Sequence, residues 1–306
     1  MTPATQLRDV TLRDGLQLTG KLLDTEKKVE LTRLLLGWGV DAVEIGAMAR
    51  PDRVPPMANT LEVIAALTAD ELQHCWIWAA TPRGIARAID AGARNFEYCL
   101  SVSDDHNLAN VGRSTEASMA ALPEAVDRVA AVGGQLQLTL ATAFTCPYRG
   151  VIDPDRVLEL VTDPRAEATT TVVLCDTLGQ AVPDQVEQLV RWVLGAAPGR
   201  AVVYHGHDTW GLGVANTRAA IDAGATMVDG ALGGLGGCPF APGASGNTAT
   251  EDLLFALRPN WLTPPKFSEI VRAAELLLAD LGEPNRSKAA QGARSEARAF
   301  EWVISA

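Results

Sequence analysis

Two histidines, a glycine-rich run and a cysteine are the residues whose types and spacing point most directly to chemistry. His205 and His207 are two positions apart and follow the apolar run 201–204, which is typical of a β-strand. Side chains at i and i+2 of a strand point to the same face, so these two imidazoles can bind one divalent metal ion. Glycines 233, 234, 236 and 237 can bring backbone close to a ligand, and they lead to the thiol of Cys238. A metal site beside a placed thiol predicts an enzyme.

Each of these features also has a structural explanation. The histidines could be a hydrogen-bonded pair, the glycines a plain turn, and the cysteine a small buried apolar residue. The chain has only four histidines, and the joint occurrence of all three features favours the catalytic interpretation.

Composition excludes several classes of function. The net charge of −11 and a pI near 4.9 argue against nucleic acid and against an anionic membrane surface, because both require a basic face. No run of eighteen apolar residues and no signal peptide occurs. The five cysteines are scattered and form no C-x-x-C motif, so reduced thiols are expected. We therefore expect a soluble, cytoplasmic protein with no nucleic-acid or membrane partner.

Short apolar runs alternate with amphipathic, helix-like stretches along the chain. The predicted strands cover residues 8–12, 42–45, 75–80, 95–101, 135–141, 170–175, 201–204 and 227–231. The predicted helices cover residues 24–38, 59–67, 82–91, 114–132, 153–161, 183–194 and 214–223. About eight β–α units predict a (β/α)8 TIM barrel over residues 1–260, with a doubly wound open sheet as the alternative.

The pattern changes after residue 260. Prolines at 264 and 265 interrupt the chain, and residues 267–281 and 295–304 are predicted as helices. We expect residues 261–306 to form a helical C-terminal extension packed on the barrel.

Polar side chains follow most of the predicted strands at the point where each strand ends. In a (β/α)8 barrel these ends converge on one rim, where the active site lies. Buried charges without partners are costly, so their shared position favours a single site. The residues at these strand ends are Arg13, Asp14, Glu44, residues 103–106, Asp176, His205, His207 and residues 233–247.

Three motifs carry a family resemblance. They are residues 9–17 (DVTLRDGLQ), residues 205–209 (HGHDT) and residues 233–247 (GGLGGCPFAPGASGN). Together they resemble the 3-hydroxy-3-methylglutaryl-CoA lyases of the DRE-TIM metallolyase superfamily. Further matching stretches occur at residues 54–58, 146–150, 176–179 and 250–253, so the resemblance extends along nearly the whole chain.

The resemblance implies a set of metal ligands. An aspartate, two histidines and an asparagine hold a divalent cation in this family, and they correspond here to Asp14, His205, His207 and Asn247. Two oxygen and two nitrogen ligands suit Mg²⁺ or Mn²⁺, with Co²⁺ or Zn²⁺ as alternatives. Octahedral coordination would leave two positions for adjacent substrate oxygens.

The resemblance also implies a retro-Claisen cleavage. A base removes the proton of a tertiary 3-hydroxyl, the carbon–carbon bond breaks, and a ketone and a thioester enolate are formed. Arg13 suits stabilisation of the enolate oxygen. Cys238 would protonate the enolate carbon or relay a proton to it. Glu44 and Asp176 would orient Arg13 or move protons, with a salt bridge near the metal as the alternative role.

Four further residues are expected to contact substrate. These are Gln17, His106, Gly236 and Gly237; the alternative for His106, which the sequence favours, is a surface loop histidine. The resemblance implies an acyl-CoA substrate and a homo-oligomer, specifically a dimer.

Departures from the lyase pattern leave other reactions open. Leu12 stands where these lyases commonly have proline, Leu18-Thr19 replaces Asn-Glu, and residues 103–106 are more polar and similar to those of the synthases. A metal-dependent aldolase acting on a 4-hydroxy-2-oxo acid or a related hydroxy acid is one alternative. A Claisen-type condensing synthase is another, and a non-enzymatic binding module is the remaining class.

Overall fold

A closed barrel of eight parallel strands forms the body of the protein. The computed structural model describes residues 5–237, 245–297 and 299–304. The barrel strands are β1 (Gln6–Asp9), β2 (Ala42–Ala47), β3 (Cys75–Ala79), β4 (Asn95–Ser101), β5 (Gln135–Ala141), β8 (Thr171–Asp176), β9 (Ala201–Gly206) and β10 (Met227–Gly230). Their order around the barrel follows the chain, and β10 closes on β1 with Gln6 beside Met227. The predicted (β/α)8 fold is confirmed.

Helices surround the barrel; the first nine lie between successive strands, and the last three follow β10. They are α1 (Thr25–Trp38), α2 (Thr60–Ala66), α3 (Ala69–Leu72), α4 (Pro82–Ala91), α5 (Asp104–Val111), α6 (Thr115–Ala130), α7 (Pro154–Thr162), α8 (Pro183–Ala196), α9 (Gly213–Ala223), α10 (Thr250–Leu257), α11 (Pro264–Leu281) and α12 (Lys288–Ala293). A two-stranded hairpin of β6 (Thr145–Cys146) and β7 (Gly150–Val151) follows β5. Among the described helices, none is long and apolar enough to cross a membrane.

The barrel strands are buried on both faces. Every residue of β2, β4 and β10 is buried, because one face of each strand meets the barrel interior and the other meets the helices. This explains why continuous apolar runs, rather than alternating ones, located the strands in the sequence.

The first strand ends earlier than its sequence pattern predicts. Residues 8–12 were expected in β1, but β1 ends at Asp9 and a buried π-helical turn occupies Thr11–Gly15. The carboxylate of Asp9 accepts a hydrogen bond from the backbone N–H of Thr11 at 2.9 Å, which turns the chain at this point. Single π turns are frequent at functional sites, and this one carries Arg13 and Asp14.

Two helices were predicted in the C-terminal segment; the first prediction is confirmed and the second is wrong. Helix α11 buries Phe267, Ile270 and Leu278 in the main core. The described residues of 295–304 form turns, not a helix. The rings of Phe300 and Trp302 both pack on Phe255, at 6.4 and 6.0 Å between centroids. Residues two apart point to different sides of an α-helix, so a helix could not make both contacts.

Candidate active site

A cleft of about 420 Å³ opens at the carboxyl ends of the barrel strands. It brings together most of the site residues predicted from the sequence. These are Arg13, Asp14, Gln17, His106, His205, His207 and Gly237. The first three follow β1. His106 lies on α5, His205 lies in β9, and His207 follows the end of β9.

Three side chains in the cleft are arranged as ligands of one metal ion. One atom from each of Asp14, His205 and His207 lies within 4.8 Å of the other two, and all three residues are buried. The distance from His207 Nε2 to Asp14 Oδ2 is 3.3 Å. Ligands of one ion with bonds of about 2.0–2.6 Å are themselves roughly 3–5 Å apart. Burial alone would raise the pKa of Asp14, but the charge of Arg13 and the contact with His207 hold that pKa well below its usual range.

Asn247 lies against this trio. A short antiparallel bridge pairs it with His207, and its Nδ2 donates to Asp14 Oδ2 at 2.9 Å. Its Oδ1 is buried and makes no hydrogen bond to the described residues. Gly236 is needed beside it, because a Cβ there would lie 2.6 Å from Asn247 Nδ2 and the backbone has φ +123°. The glycine-rich run thus passes directly over the predicted metal ligands.

Arg13 is held between two carboxylates. Its Nε donates to Glu44 Oε2 at 2.6 Å, and its Nη1 donates to Asp14 Oδ1. Gln17 donates to the same Asp14 oxygen at 2.9 Å. Glu44 is fully buried and does not line the cleft, and burial raises its pKa well above the ordinary value. Glu44 therefore reaches the cleft only through its contact with Arg13, and its orienting role stays a prediction.

Two residues of the site were missed by sequence reasoning. Asp229 Oδ2 lies 3.0 Å from His205 Nδ1, so the carboxylate fixes the orientation of that ring. Arg8 donates from Nε and Nη2 to the two oxygens of Asp229 at 2.9 and 2.7 Å. Both are charged residues within apolar strand runs. A charged residue in such a run is unusual, and this was the available sign in the sequence that they belong to a site.

His106 is buried, so the surface-loop alternative is wrong. It lies on α5, a helix that the sequence reading did not predict and that begins after the N-cap Ser103. Its Nδ1 lies 2.7 Å from Ser101 Oγ. Burial lowers the pKa of His106 to about 4, so the imidazole that lines the cleft is neutral at pH 7.

Asp176 ends β8 but turns toward its own loop. Its two carboxylate oxygens each accept a backbone hydrogen bond at 3.1 Å, from Gln180 and Ala181. Burial raises its pKa above the ordinary value. It is absent from the lining of the cleft, where its neighbour Thr177 is present. Cys238 lies outside the described residues, although the preceding Gly237 lines the cleft.

Comparisons with known proteins agree with this geometry. A family model described as HMGL-like matches residues 4–277. The chain belongs to the HMGL-like family. It is 35% identical over 294 residues to the (R)-citramalyl-CoA lyase of Chloroflexus aurantiacus, covering 92% of each chain. It is 30% identical to the hydroxymethylglutaryl-CoA lyase YngG of Bacillus subtilis, covering 92% of this chain and 95% of that one.

A solved structure extends the comparison to three dimensions. An HMG-CoA lyase from Acinetobacter baumannii, in complex with coenzyme A and 3-methylmalate, superimposes with a TM-score of 0.87 at 34% identity and covers 96% of both chains. The motif resemblance is confirmed, and this HMGL-like protein is a carbon–carbon lyase. The non-enzymatic alternative is wrong.

Proposed function

We propose that this protein is a divalent-metal-dependent lyase that cleaves a 3-hydroxyacyl-CoA thioester to a shorter acyl-CoA and a keto acid. The observation that carries the proposal is the placement of Asp14, His205 and His207 beside Arg13 in one cleft. The relatives named above support a hydroxyacyl-CoA substrate of the hydroxymethylglutaryl or citramalyl type.

The residues of the site fit a divalent cation. Asp14, His205, His207 and Asn247 would hold it, and the Oδ1 of Asn247, which has no hydrogen-bond partner among the described residues, would become a metal ligand. A bound dication supplies a Lewis-acid centre for oxygens that carry negative charge. Two oxygen and two nitrogen donors suit Mg²⁺ or Mn²⁺, with Co²⁺ or Zn²⁺ as alternatives.

The charges beneath the cleft also favour a dication. Two buried arginines contact four buried carboxyl groups: Arg8 contacts Glu97 and Asp229, and Arg13 contacts Asp14 and Glu44. Burial raises the pKa of Glu44, but even with Glu44 neutral three carboxyl groups remain to face two guanidinium charges. Unbalanced buried charge is costly, so a cation at this rim would offset the excess of negative charge.

Arg13 has the geometry of a residue that meets developing negative charge. In the proposed reaction the 3-hydroxyl loses its proton, the C2–C3 bond breaks and C3 becomes a ketone. The electron pair moves to C2 of the thioester enolate, which then takes up a proton. The guanidinium is fixed by Glu44 before substrate arrives, and such preorganised donors stabilise an oxyanion without reorganisation. Cys238 is our candidate for the proton donor to C2, and Asp176 remains a candidate for proton transfer at this rim.

The walls of the cleft suit a small acyl group with an anionic carrier. Trp78, Ala141 and Met57 contribute apolar surface, whereas Arg50 and Arg53 lie at the exposed edge. Two arginines at the entrance favour a substrate that carries phosphates or carboxylates. Gln17, His106, Gly236 and Gly237 are our candidates for contacts to the acyl portion.

Location and assembly form the remaining part of the proposal. Four described cysteines are free and buried, which supports a reducing compartment such as the cytoplasm. We further propose a homodimer, which size-exclusion chromatography with light scattering would test.

A substrate panel with product identification tests the proposed reaction. Hydroxymethylglutaryl-CoA, citramalyl-CoA and a 4-hydroxy-2-oxo acid would each be incubated with the Mg²⁺-loaded protein, and products identified by mass spectrometry. We expect an acyl-CoA and a keto acid from at least one thioester. Cleavage of the free oxo acid alone would identify an aldolase instead.

A further inference from the structure

We propose that Arg8 is a positioning residue for the metal ligand His205 and that it acts through Asp229. This inference rests on the proposed metal site. Arg8 lies in β1, inside the barrel and away from the cleft lining, so it touches neither substrate nor metal. Its effect has to pass through a chain of hydrogen bonds.

The first link of that chain joins Arg8 to Asp229. Both oxygens of the Asp229 carboxylate accept from the guanidinium fork, at 2.9 and 2.7 Å, and both residues are buried. Gln137 Oε1 accepts from Nη1 at 3.0 Å, and the ring of Trp76 lies 5.8 Å from the guanidinium carbon. The guanidinium is therefore fixed on several sides, and it fixes the plane of the carboxylate in turn.

The second link joins Asp229 to His205. The oxygen that accepts from Arg8 Nη2 is the same Oδ2 that lies 3.0 Å from His205 Nδ1. If the ring donates from Nδ1, its Nε2 is left with a lone pair for the metal. Carboxylates placed in this way set the tautomer and orientation of a metal-binding histidine. A rotated Asp229 would allow His205 to turn.

An arginine at this position is informative because it is costly. A buried guanidinium is tolerated only with full pairing, and an apolar side chain would pack a barrel interior at lower cost. Lysine would keep the charge of Arg8 but lose the planar fork that holds both oxygens of Asp229. Arg8 also contacts Glu97, so the comparison of Arg8→Lys with the wild type is what separates a positioning role from simple charge neutralisation.

The test measures metal affinity, not turnover. Mn²⁺ dissociation constants of the full-length protein would be measured by electron paramagnetic resonance for wild type, Arg8→Lys, Asp229→Asn and the double variant. We expect each single substitution to weaken Mn²⁺ binding about 10–100-fold, the usual effect of changing a partner of a metal ligand. The double variant should be little weaker than Asp229→Asn, because the two residues act in series.

Gln137→Met is the matched control. It removes a neutral hydrogen bond to Arg8 but leaves the fork on Asp229, so Mn²⁺ affinity should stay near the wild-type value. Unchanged affinity in Arg8→Lys, or additive losses in the double variant, would overturn the proposal. Failure of the wild-type protein to bind Mn²⁺ would instead contradict the proposed function.

A measurement on the wild-type protein covers the case in which Arg8→Lys does not fold. The chain has four histidines, so ¹⁵N-histidine spectra of the metal-free protein can resolve each ring. We expect the proton of neutral His205 on Nδ1. A proton on Nε2 would refute the positioning chain without any substitution.

Discussion

Replacement of Arg13 by lysine separates its role in catalysis from its role as an ion-pair partner. The guanidinium donates from Nε to Glu44 and from Nη1 to Asp14, and it also lines the cleft. Lysine has a single nitrogen, which cannot hold both carboxylates and face the substrate at the same time.

The expected magnitude follows from this loss of donors. Removal of one donor to a developing oxyanion costs about 10²–10³ in kcat, or roughly 2.7–4 kcal/mol. Because Arg13→Lys keeps the positive charge, we expect the lower end, about 10²-fold in kcat, with a smaller change in KM. The fold should survive, since the lost hydrogen bonds cost about 1–3 kcal/mol against a typical total stability of about 5–15 kcal/mol.

Steady-state kinetics with the thioester identified by the substrate panel provide the assay. Unfolding by urea and Mn²⁺ affinity would be measured in parallel, so that a loss of structure or metal is not mistaken for a loss of chemistry. Arg191→Lys is the control, because Arg191 is an exposed arginine on α8 that pairs with Glu187. Wild-type kcat in Arg13→Lys would refute the proposed role.

Three further predictions concern the loop and the rim. The buried carboxyl group of Glu251 accepts a hydrogen bond from the N–H of Gly233, and burial raises its pKa to about 8. Between about pH 5 and 8 the folded protein keeps a proton on Glu251 that the unfolded chain releases. The free energy of unfolding should therefore fall as the pH rises through this range. Urea unfolding of Glu251→Gln should lack this part of the pH dependence, and an identical profile would contradict the argument. Cys238→Ser should strongly slow turnover and deuterium incorporation at C2 of the product, because a hydroxyl is a far weaker acid than a thiol with pKa near 8.5. Mn²⁺ affinity should stay unchanged. Deuterium incorporation at the wild-type rate would mean that another group protonates C2. His106→Ala should raise KM and leave Mn²⁺ affinity unchanged. Because burial lowers the pKa of His106 to about 4, the pH dependence of kcat/KM above about pH 5 should also stay unchanged. An altered pH dependence in that range would exclude a role for the neutral imidazole.

The sequence predicted the barrel well because its signals are local. Apolar runs and helix periodicity located strands such as Asn95–Ser101 and helices such as Pro82–Ala91 at their observed bounds. The π turn at Thr11–Gly15 was missed, because it depends on the side chain of Asp9 accepting a hydrogen bond from the backbone N–H two residues further on. The segment 295–304 was misread because aromatic packing across the molecule, not helix propensity, sets its path.

The candidate site was predictable only in its outer members. His205 and His207 were visible as an i, i+2 pair, and motif resemblance added Asp14 and Asn247. The charged residues beneath them stand out within apolar strand runs, but their mutual contacts were not predictable, because Arg8, Glu97 and Asp229 come from three strands far apart in the chain. These three side chains meet only in the folded barrel, and their spacing along the sequence does not predict that they are in contact.

Metal dependence of the cleavage reaction tests the central claim most directly. The protein would be stripped of metal with a chelator, and thioester cleavage measured before and after addition of Mg²⁺ or Mn²⁺, with His207→Ala treated in the same way. We expect no cleavage without metal, full recovery in the wild type, and no recovery in His207→Ala at metal concentrations that saturate the wild type. Cleavage by the stripped protein at the wild-type rate, or full recovery in His207→Ala, would contradict a catalytic metal held by Asp14, His205 and His207.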